Sequence, residues 1–292
     1  MCRLFGMSGG RDPVRATFWL LEAPDSLAQQ SRREPDGTGL GAFENGRPVV
    51  FKQPIAAYED ERFAREAREV SSRTFVAHVR YASTGAVELK NTHPFEQSGR
   101  LFAHNGVIGE LPQLEQELGD ALGLVKGDTD SERFFALITR EIERAADVGE
   151  AIGRAARWVA ENLPVFALNL VLIEPSDLWA LRYPDTHELY ALQRPAGGPT
   201  GQRHLDHASA RGTVRVRSGD LAERPAVVLA SERMDEDPDW QELASGELLH
   251  VDSELKVTVT RALEQPPAHP ITLADLDPRA AASQAPAAAE QK

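Results

Sequence analysis

Cysteine is almost absent from this chain of 292 residues, with a single one at position 2. One thiol excludes an internal disulfide, so the fold takes nothing from an oxidising compartment. Long apolar runs are missing as well. The most extended, "VFALNLVLI" from Val165 to Ile173, is broken by Asn169 and falls far short of the roughly 20 residues a helix needs to cross a bilayer. Positive charge is in deficit: 32 Lys and Arg stand against 45 Asp and Glu, for a formal net charge of -13. That balance argues against nucleic acid or an anionic membrane as the main partner. There is no apolar leader, since Arg3, Arg11, Asp12 and Pro13 interrupt the start. His78, His93 and His104 have no recognised ligand spacing and no cysteine companions, which speaks against a metal site. "DGTGLG" lacks the spacing of a dinucleotide fingerprint, and there is no P-loop. These absences predict a soluble, cytoplasmic protein without metal or cofactor.

What is present is ordinary for a globular protein, 41% hydrophobic and 26% charged residues. "CRLFGMS" reads as a strand, "VRATFWLLEA" and "DSLAQQS" as helices divided by Pro24, and "GTGLGAFENGRPVVFKQ" as a hairpin around Asn45-Gly46, a pair that favours a type I′ turn. A polar helix is expected from Asp60 to Val70, then the strands "RTFVAHVRYAS" and "RLFAHNGVI". Helices are expected over Glu110–Leu122, Asp130–Ala145 and Val148–Asn162. The second half returns to strands: "VFALNLVLIE", "DLWALRY", "ELYALQR", "TVRVRS", "AVVLAS" and the pair "GELLHVDSELKVTVTR". Strand runs joined by short turns predict antiparallel sheets with helices grouped outside them, an α+β fold rather than alternating βα units. Nothing between Cys2 and Arg261 reads as a linker, so residues 2–264 are expected to form one domain. The Ala- and Pro-rich end has little to bury and predicts a flexible tail over residues 265–292.

Position 2 gives the lone thiol a special chemistry. Removal of Met1 exposes an α-amine, with a pKa of about 7.7 to 8.0, on the residue that carries a thiol near 8.5. Nucleophile and general base then share one residue. Taken alone, the thiol also reads as a small buried hydrophobe. Four other stretches have a plain reading and a chemical one. In "HVRYAST", Arg80 is either an outward strand residue or a planar fork for a carboxylate. "AHNGVI" is either a turn or an oxyanion site built from the Asn105 side-chain amide and the Gly106 backbone N–H. "GDTDSERFF" has capping-box spacing at Thr129 and Glu132, and places Asp130 either to complement a helix dipole or to receive an ammonium group. "REPDGTGLG", with Asp36, is most simply a tight turn into a strand.

In chain order, "CRLFG", "PDGTGLG", "HVRYASTG", "NTHPF", "HNG" and "TDSE" together resemble the class II glutamine amidotransferases, which are N-terminal-nucleophile hydrolases. The similarity is nearest to stand-alone bacterial glutaminase-like members and spans about residues 2 to 261. It implies a four-layer αββα sandwich of two antiparallel sheets. It also implies roles: Cys2 as nucleophile and, through its amine, base; Asn105 and Gly106 as oxyanion hole; Arg80 for the α-carboxylate and Asp130 for the α-ammonium of glutamine or a γ-glutamyl compound. Ser83 lies where relatives often have a hydroxyl in contact with glutamine. Tyr81 stands where many have tryptophan and Glu34 where they often have histidine, which leaves the distal part of the substrate open. With no synthase domain following, the implied outcomes are transfer of ammonia to a separate synthase subunit, free glutaminase activity, or hydrolysis of another γ-glutamyl amide. The last resembles the γ-glutamyl hydrolase of ergothioneine biosynthesis. A catalytically silent relative that binds a γ-glutamyl ligand or a protein partner is the non-enzymatic alternative.

Overall fold

The nine-residue strand Arg100–Ile108 shows how the fold is built. Its residues alternate between two different apolar layers: Leu101 and Ala103 enter one, Phe102 and Ile108 the other. A period of two with both faces apolar is the mark of a strand covered on both sides. The computed structural model describes residues 2–82, 85–145, 147–196 and 224–284, with the backbone of 207–208 and 215–216.

Two sheets result. The first contains β1 (Arg3–Ser8), β2 (Gly37–Glu44), β3 (Arg47–Gln53), β4 (Thr74–Arg80), β9 (Tyr190–Arg194), β12 (Ala226–Ala230) and β13 (Gln241–Glu242), in the order β13-β9-β12-β1-β4-β2-β3. The second contains β5 (Phe95–Gln97), β6 (Arg100–Ile108), β7 (Pro164–Ile173), β8 (Leu178–Leu181), β14 (Glu247–Val251) and β15 (Val257–Arg261), in the order β15-β14-β8-β7-β6-β5. Within each order the neighbours pair antiparallel. Leu4, Val76, Leu101, Ala103, Val171 and Leu229 fill the space between the sheets. On the outer face of the first sheet Phe5, Phe75 and Val228 meet Phe18, Trp19 and Phe63. On the outer face of the second, Phe102 and Leu170 meet α4 (Asp130–Ala145) and α5 (Val148–Asn162). This is the four-layer α+β sandwich implied by the sequence resemblance.

Local chemistry explains most boundaries. Asn45 and Gly46 both take positive φ, 51° and 76°, which closes the β2–β3 hairpin with the expected turn. Asp60 accepts from the backbone N–H of Arg62 and Phe63 and so caps α2 (Glu61–Glu69). Other expectations are corrected. The helix expected over "VRATFWLLEA" shrinks to one wide turn, Phe18–Glu22, because its apolar residues all pack into the layer over the first sheet. The expected helix from Glu110 becomes α3 (Leu111–Leu118), then a tighter turn over Gly119–Leu124. Of "TVRVRS", only Arg215–Val216 is described, as β11, paired with β10 (His207–Ala208); its other residues lie outside the described ones.

Within the segment expected as a flexible tail, residues 265–284 carry secondary structure. β16 (His269–Pro270) pairs parallel with the start of β7, and α6 (Pro278–Gln284) buries Ala280, Ser283 and Gln284. The apolar contacts of this segment come from Ile271 and Leu276, which pack on Val107, Phe166 and Ala167.

Candidate active site

Strand alternation places Cys2. In β1, Leu4 faces the space between the sheets while Phe5 and Met7 face the outer helical layer, so Cys2, two residues before Leu4, faces inward. Arg3 pairs with Val79 across β1 and β4, which brings Cys2 to the end of β4 where Arg80 and Tyr81 follow. The Cys2 Sγ accepts a hydrogen bond from the Tyr81 backbone N–H at 3.2 Å and faces the Tyr81 carbonyl oxygen at 3.3 Å. From the second sheet, the Asn105 amide nitrogen donates to the Cys2 carbonyl at 3.0 Å. Cys2 therefore sits where the ends of both sheets meet.

Burial sets the electrostatics. Cys2 is only 7% exposed, and its thiol is pushed up to about 11, first by burial and then by the negative charge of Glu34. Such a thiol is protonated at neutral pH and requires a base to become a nucleophile. Arg80 is buried, and its guanidinium donates to the carbonyls of Ala86 at 3.0 Å and Gly85 at 3.4 Å. Burial lowers its basicity, while Cys2, Asp36 and Asp130 act on it in the opposite direction. Asp130 opens α4 at the far wall; its carboxylate accepts from the Ile108 backbone N–H at 2.9 Å, two residues beyond Gly106. The capping pair behaves as its spacing predicts on one side, Thr129 accepting from the Glu132 N–H at 3.3 Å, whereas Glu132 turns to the Gly127 N–H instead of closing the box.

Asn105 has two amide hydrogens, and one is committed to the Cys2 carbonyl. Its side-chain oxygen is buried without a hydrogen-bond partner among the described residues. At Gly106 a Cβ would lie 1.9 Å from the Ala167 carbonyl oxygen, so β6 and β7 approach there as only glycine allows. Tyr81 meets the thiol through its backbone, and Ser83 lies outside the described residues. Among those described, no group of three or more His, Cys, Asp or Glu side chains is placed to hold a metal. His78 and His93 instead pack as a pair, ring centroids 4.2 Å apart. No helix among the described residues is long and apolar enough to cross a membrane.

Two side chains, Arg3 and Asp36, join this site that spacing alone left as ordinary. Arg3 is fully buried and donates to the Cys2 carbonyl at 3.3 Å; the same guanidinium lies 3.6 Å from Glu34 and pairs with Glu232. Asp36, read from sequence as part of a turn, accepts from the Ala82 N–H at 2.9 Å and so ties down the segment that holds the thiol. A buried arginine at position 3 was legible only as one of the charges that interrupt the N-terminus, because its carboxylate partners come from residues 34 and 232.

The family model described as class-II glutamine amidotransferases matches residues 1–272. A γ-glutamyl-hercynylcysteine sulfoxide hydrolase from Mycolicibacterium smegmatis is 29% identical over 272 residues, covering 88% of this chain and 99% of that protein. The probable glutamine amidotransferase DUG3 of Saccharomyces cerevisiae is 29% identical over 167 residues, 49% of this chain and 46% of the yeast protein. Among solved structures, the allosteric regulatory enzyme of purine biosynthesis superposes with a TM-score of 0.66 at 19% identity, over 91% of this chain and 50% of that one. A class-II glutamine aminotransferase domain protein from Silicibacter pomeroyi gives 0.56 at 19% identity, over 89% and 99%. The chain thus spans about half the length of the yeast and purine-biosynthesis proteins. A match that runs from the first residue through β16, over a sandwich of the same kind, makes this chain a member of the class-II glutamine amidotransferases.

Proposed function

We propose that the chain cleaves the γ-amide of glutamine, or of a small γ-glutamyl compound, through a thioester on Cys2, releasing ammonia or an amine. The observation that carries this is the seat of Cys2, whose thiol lies against the Tyr81 backbone N–H of one sheet while its carbonyl is held by Asn105 of the other. Removal of Met1 frees the α-amine. That amine takes the thiol proton, sulfur bonds to the γ-carbonyl carbon, and the carbonyl electrons move onto oxygen. The remaining Asn105 amide hydrogen and the Gly106 backbone N–H receive that oxyanion, donors that cost no reorganisation because strand packing fixes them. Collapse breaks the C–N bond, and the amine passes its proton to the departing nitrogen. Water then adds to the thioester with the amine again as base, giving glutamate and the free thiol.

Arg80 and Asp130 supply recognition. In this reading the guanidinium takes the α-carboxylate and the carboxylate the α-ammonium, with Tyr81 and Ser83 lining the side chain of the substrate. A site that pairs both charges strongly rejects ligands lacking either. The ammonia is either released or handed to a separate synthase subunit. The coverage of the M. smegmatis hydrolase, 99% of its length, favours a second reading in which the substrate is a larger γ-glutamyl amide from small-molecule thiol metabolism.

The test is release of ammonia and glutamate from glutamine by protein whose intact mass shows Met1 removed, beside Cys2→Ala. The expected result is activity in the processed chain and a loss of at least about a thousandfold in the variant, the scale of removing a covalent nucleophile. No release from processed protein, with γ-glutamyl amides equally inert, overturns the proposal and leaves a silent γ-glutamyl binder.

A further inference from the structure

The segment 269–284 does more than cover apolar surface, because each of its anchors lies on an element that flanks Cys2. Ile271 and Leu276 pack on Val107, Phe166 and Ala167. Val107 follows Gly106 directly, and the Ala167 carbonyl is the group that excludes a side chain at Gly106. Arg279 reaches across to the first sheet and lies 3.6 Å from the Asp36 carboxylate oxygen that holds the Ala82 N–H beside the thiol. Gln284, buried, meets the His187 Nε2 at 2.7 Å. The His187 carbonyl in turn accepts from Asn169, the cross-strand partner of Asn105. The segment therefore runs as a strap from one sheet to the other at the end where Cys2 lies.

The strap itself is held firmly. The Ile271 N–H bonds to the Val165 carbonyl, Thr272 and Asp275 form a reciprocal cap, and Asp277 caps α6 through the N–H groups of Arg279 and Ala280. Nearby, Cys2, Arg80, Asn105 and Asp130 are all at most 7% exposed. Glutamine requires space for only an NH2 beyond its γ-carbonyl. A γ-glutamyl amide of a bulky amine requires more room beside these buried groups.

We propose that the strap 269–284, through Leu276, Arg279 and Gln284, is a wall beside the Cys2 site that determines which γ-glutamyl amides reach it and favours glutamine and amides of small amines. This rests on the proposed amidohydrolase reading for its substrate, but not for its geometry. Arg279 and Gln284 touch no group placed in the bond-breaking steps, so they act on which amide enters and leave the chemistry of Cys2 alone.

Because Cys2 is the one thiol of the chain, alkylation reports access to it without any need for catalysis. The experiment compares the rates at which iodoacetamide and a fluorescein-bearing iodoacetamide modify the full-length protein, followed by intact mass. Taking their ratio cancels the fraction of thiolate, which is common to both reagents. In the unaltered protein the bulky reagent is expected to react at least tenfold more slowly than the small one. In Leu276→Asp/Arg279→Glu, which breaks an anchor on each sheet, that ratio is expected to fall at least fivefold, and kcat/KM for γ-glutamyl-p-nitroanilide is expected to rise relative to glutamine. An unchanged ratio in a folded variant, or equal rates in the unaltered protein, overturns the wall. Gln284→Ala, which removes only the contact with His187, decides the question should the double variant not fold. If neither amide is hydrolysed, the amidohydrolase reading fails while the alkylation ratio still decides the strap.

Discussion

Cys2 and Gly106 divide the labour of a residue between chemistry and space. Nothing about a cysteine at position 2 requires it to be buried, yet its place two residues before Leu4 commits it to the gap between the sheets. Its raised thiol, at about 11, then makes a neighbouring base a necessity. Gly106 is fixed by contact instead of by conformation. A Cβ there would meet backbone, the Ala167 carbonyl at 1.9 Å, with the His104 ring at 2.8 Å, and backbone gives way far less easily than a side-chain tip. Gly106→Ala is expected to cost about 3 kcal/mol or more by forcing β6 from β7. The measurement is the urea midpoint together with the yield of folded protein. A midpoint within error of the unaltered chain would mean that the two strands part at little cost, against the packing described for them.

Single elements owe their limits to identifiable groups. In α2, Phe63 and Ala67 are buried against the first sheet while Glu61, Arg65, Arg68 and Glu69 are polar, the pattern of a helix lying on a core. Asp60 starts it by receiving two backbone N–H groups at 2.9 and 3.1 Å. Asp60→Ala is expected to cost about 1 kcal/mol, a fall in Tm of about 2–4 °C for a chain of this size. Asp60→Asn retains the acceptor and is expected to keep most of that stability. Equal losses in both variants would assign the effect to charge and not to the cap. Beside the second sheet, Asp130 serves two elements: it opens α4 in the first turn, where a carboxylate is favoured, and fixes the end of β6 through Ile108.

The folded molecule buries histidines both between the sheets and under α4. His78, His93 and His104 are all buried, and burial lowers each below the ordinary histidine range, His78 to about 3. The unfolded chain takes up protons on these rings as pH drops below about 6.5, whereas the folded chain resists them. Folding therefore binds fewer protons, and stability is lost progressively from about pH 6.5 down toward pH 3. Tm is expected to fall between pH 7 and 5.5, before most carboxylates titrate. His93 offers a specific check, since both its ring nitrogens are buried without a hydrogen-bond partner among the described residues and it packs edge-on against Phe95. His93→Phe is expected to make the fall shallower; an equal slope would place the acid sensitivity elsewhere.

Sequence by itself determined which segments become strands and helices, and it did so where the signal is local: period-two apolar runs, Asn45-Gly46 at a hairpin, Asp60 and Thr129 at helix starts. It also ordered the residues of the candidate site, because "CRLFG", "HVRYASTG", "HNG" and "TDSE" each keep their spacing along the chain. Tertiary structure alone decided what those residues touch. Arg3 finds Glu34 and Glu232, Asp36 finds Ala82, and Arg279 finds Asp36, pairings that join positions up to 243 residues apart and leave no trace in local pattern. The same reason governs residues 265–284. Ile271 and Leu276 rest on β6 and β7 and Gln284 on His187, so a few residues of a stretch rich in alanine and proline find partners only once the two sheets have met.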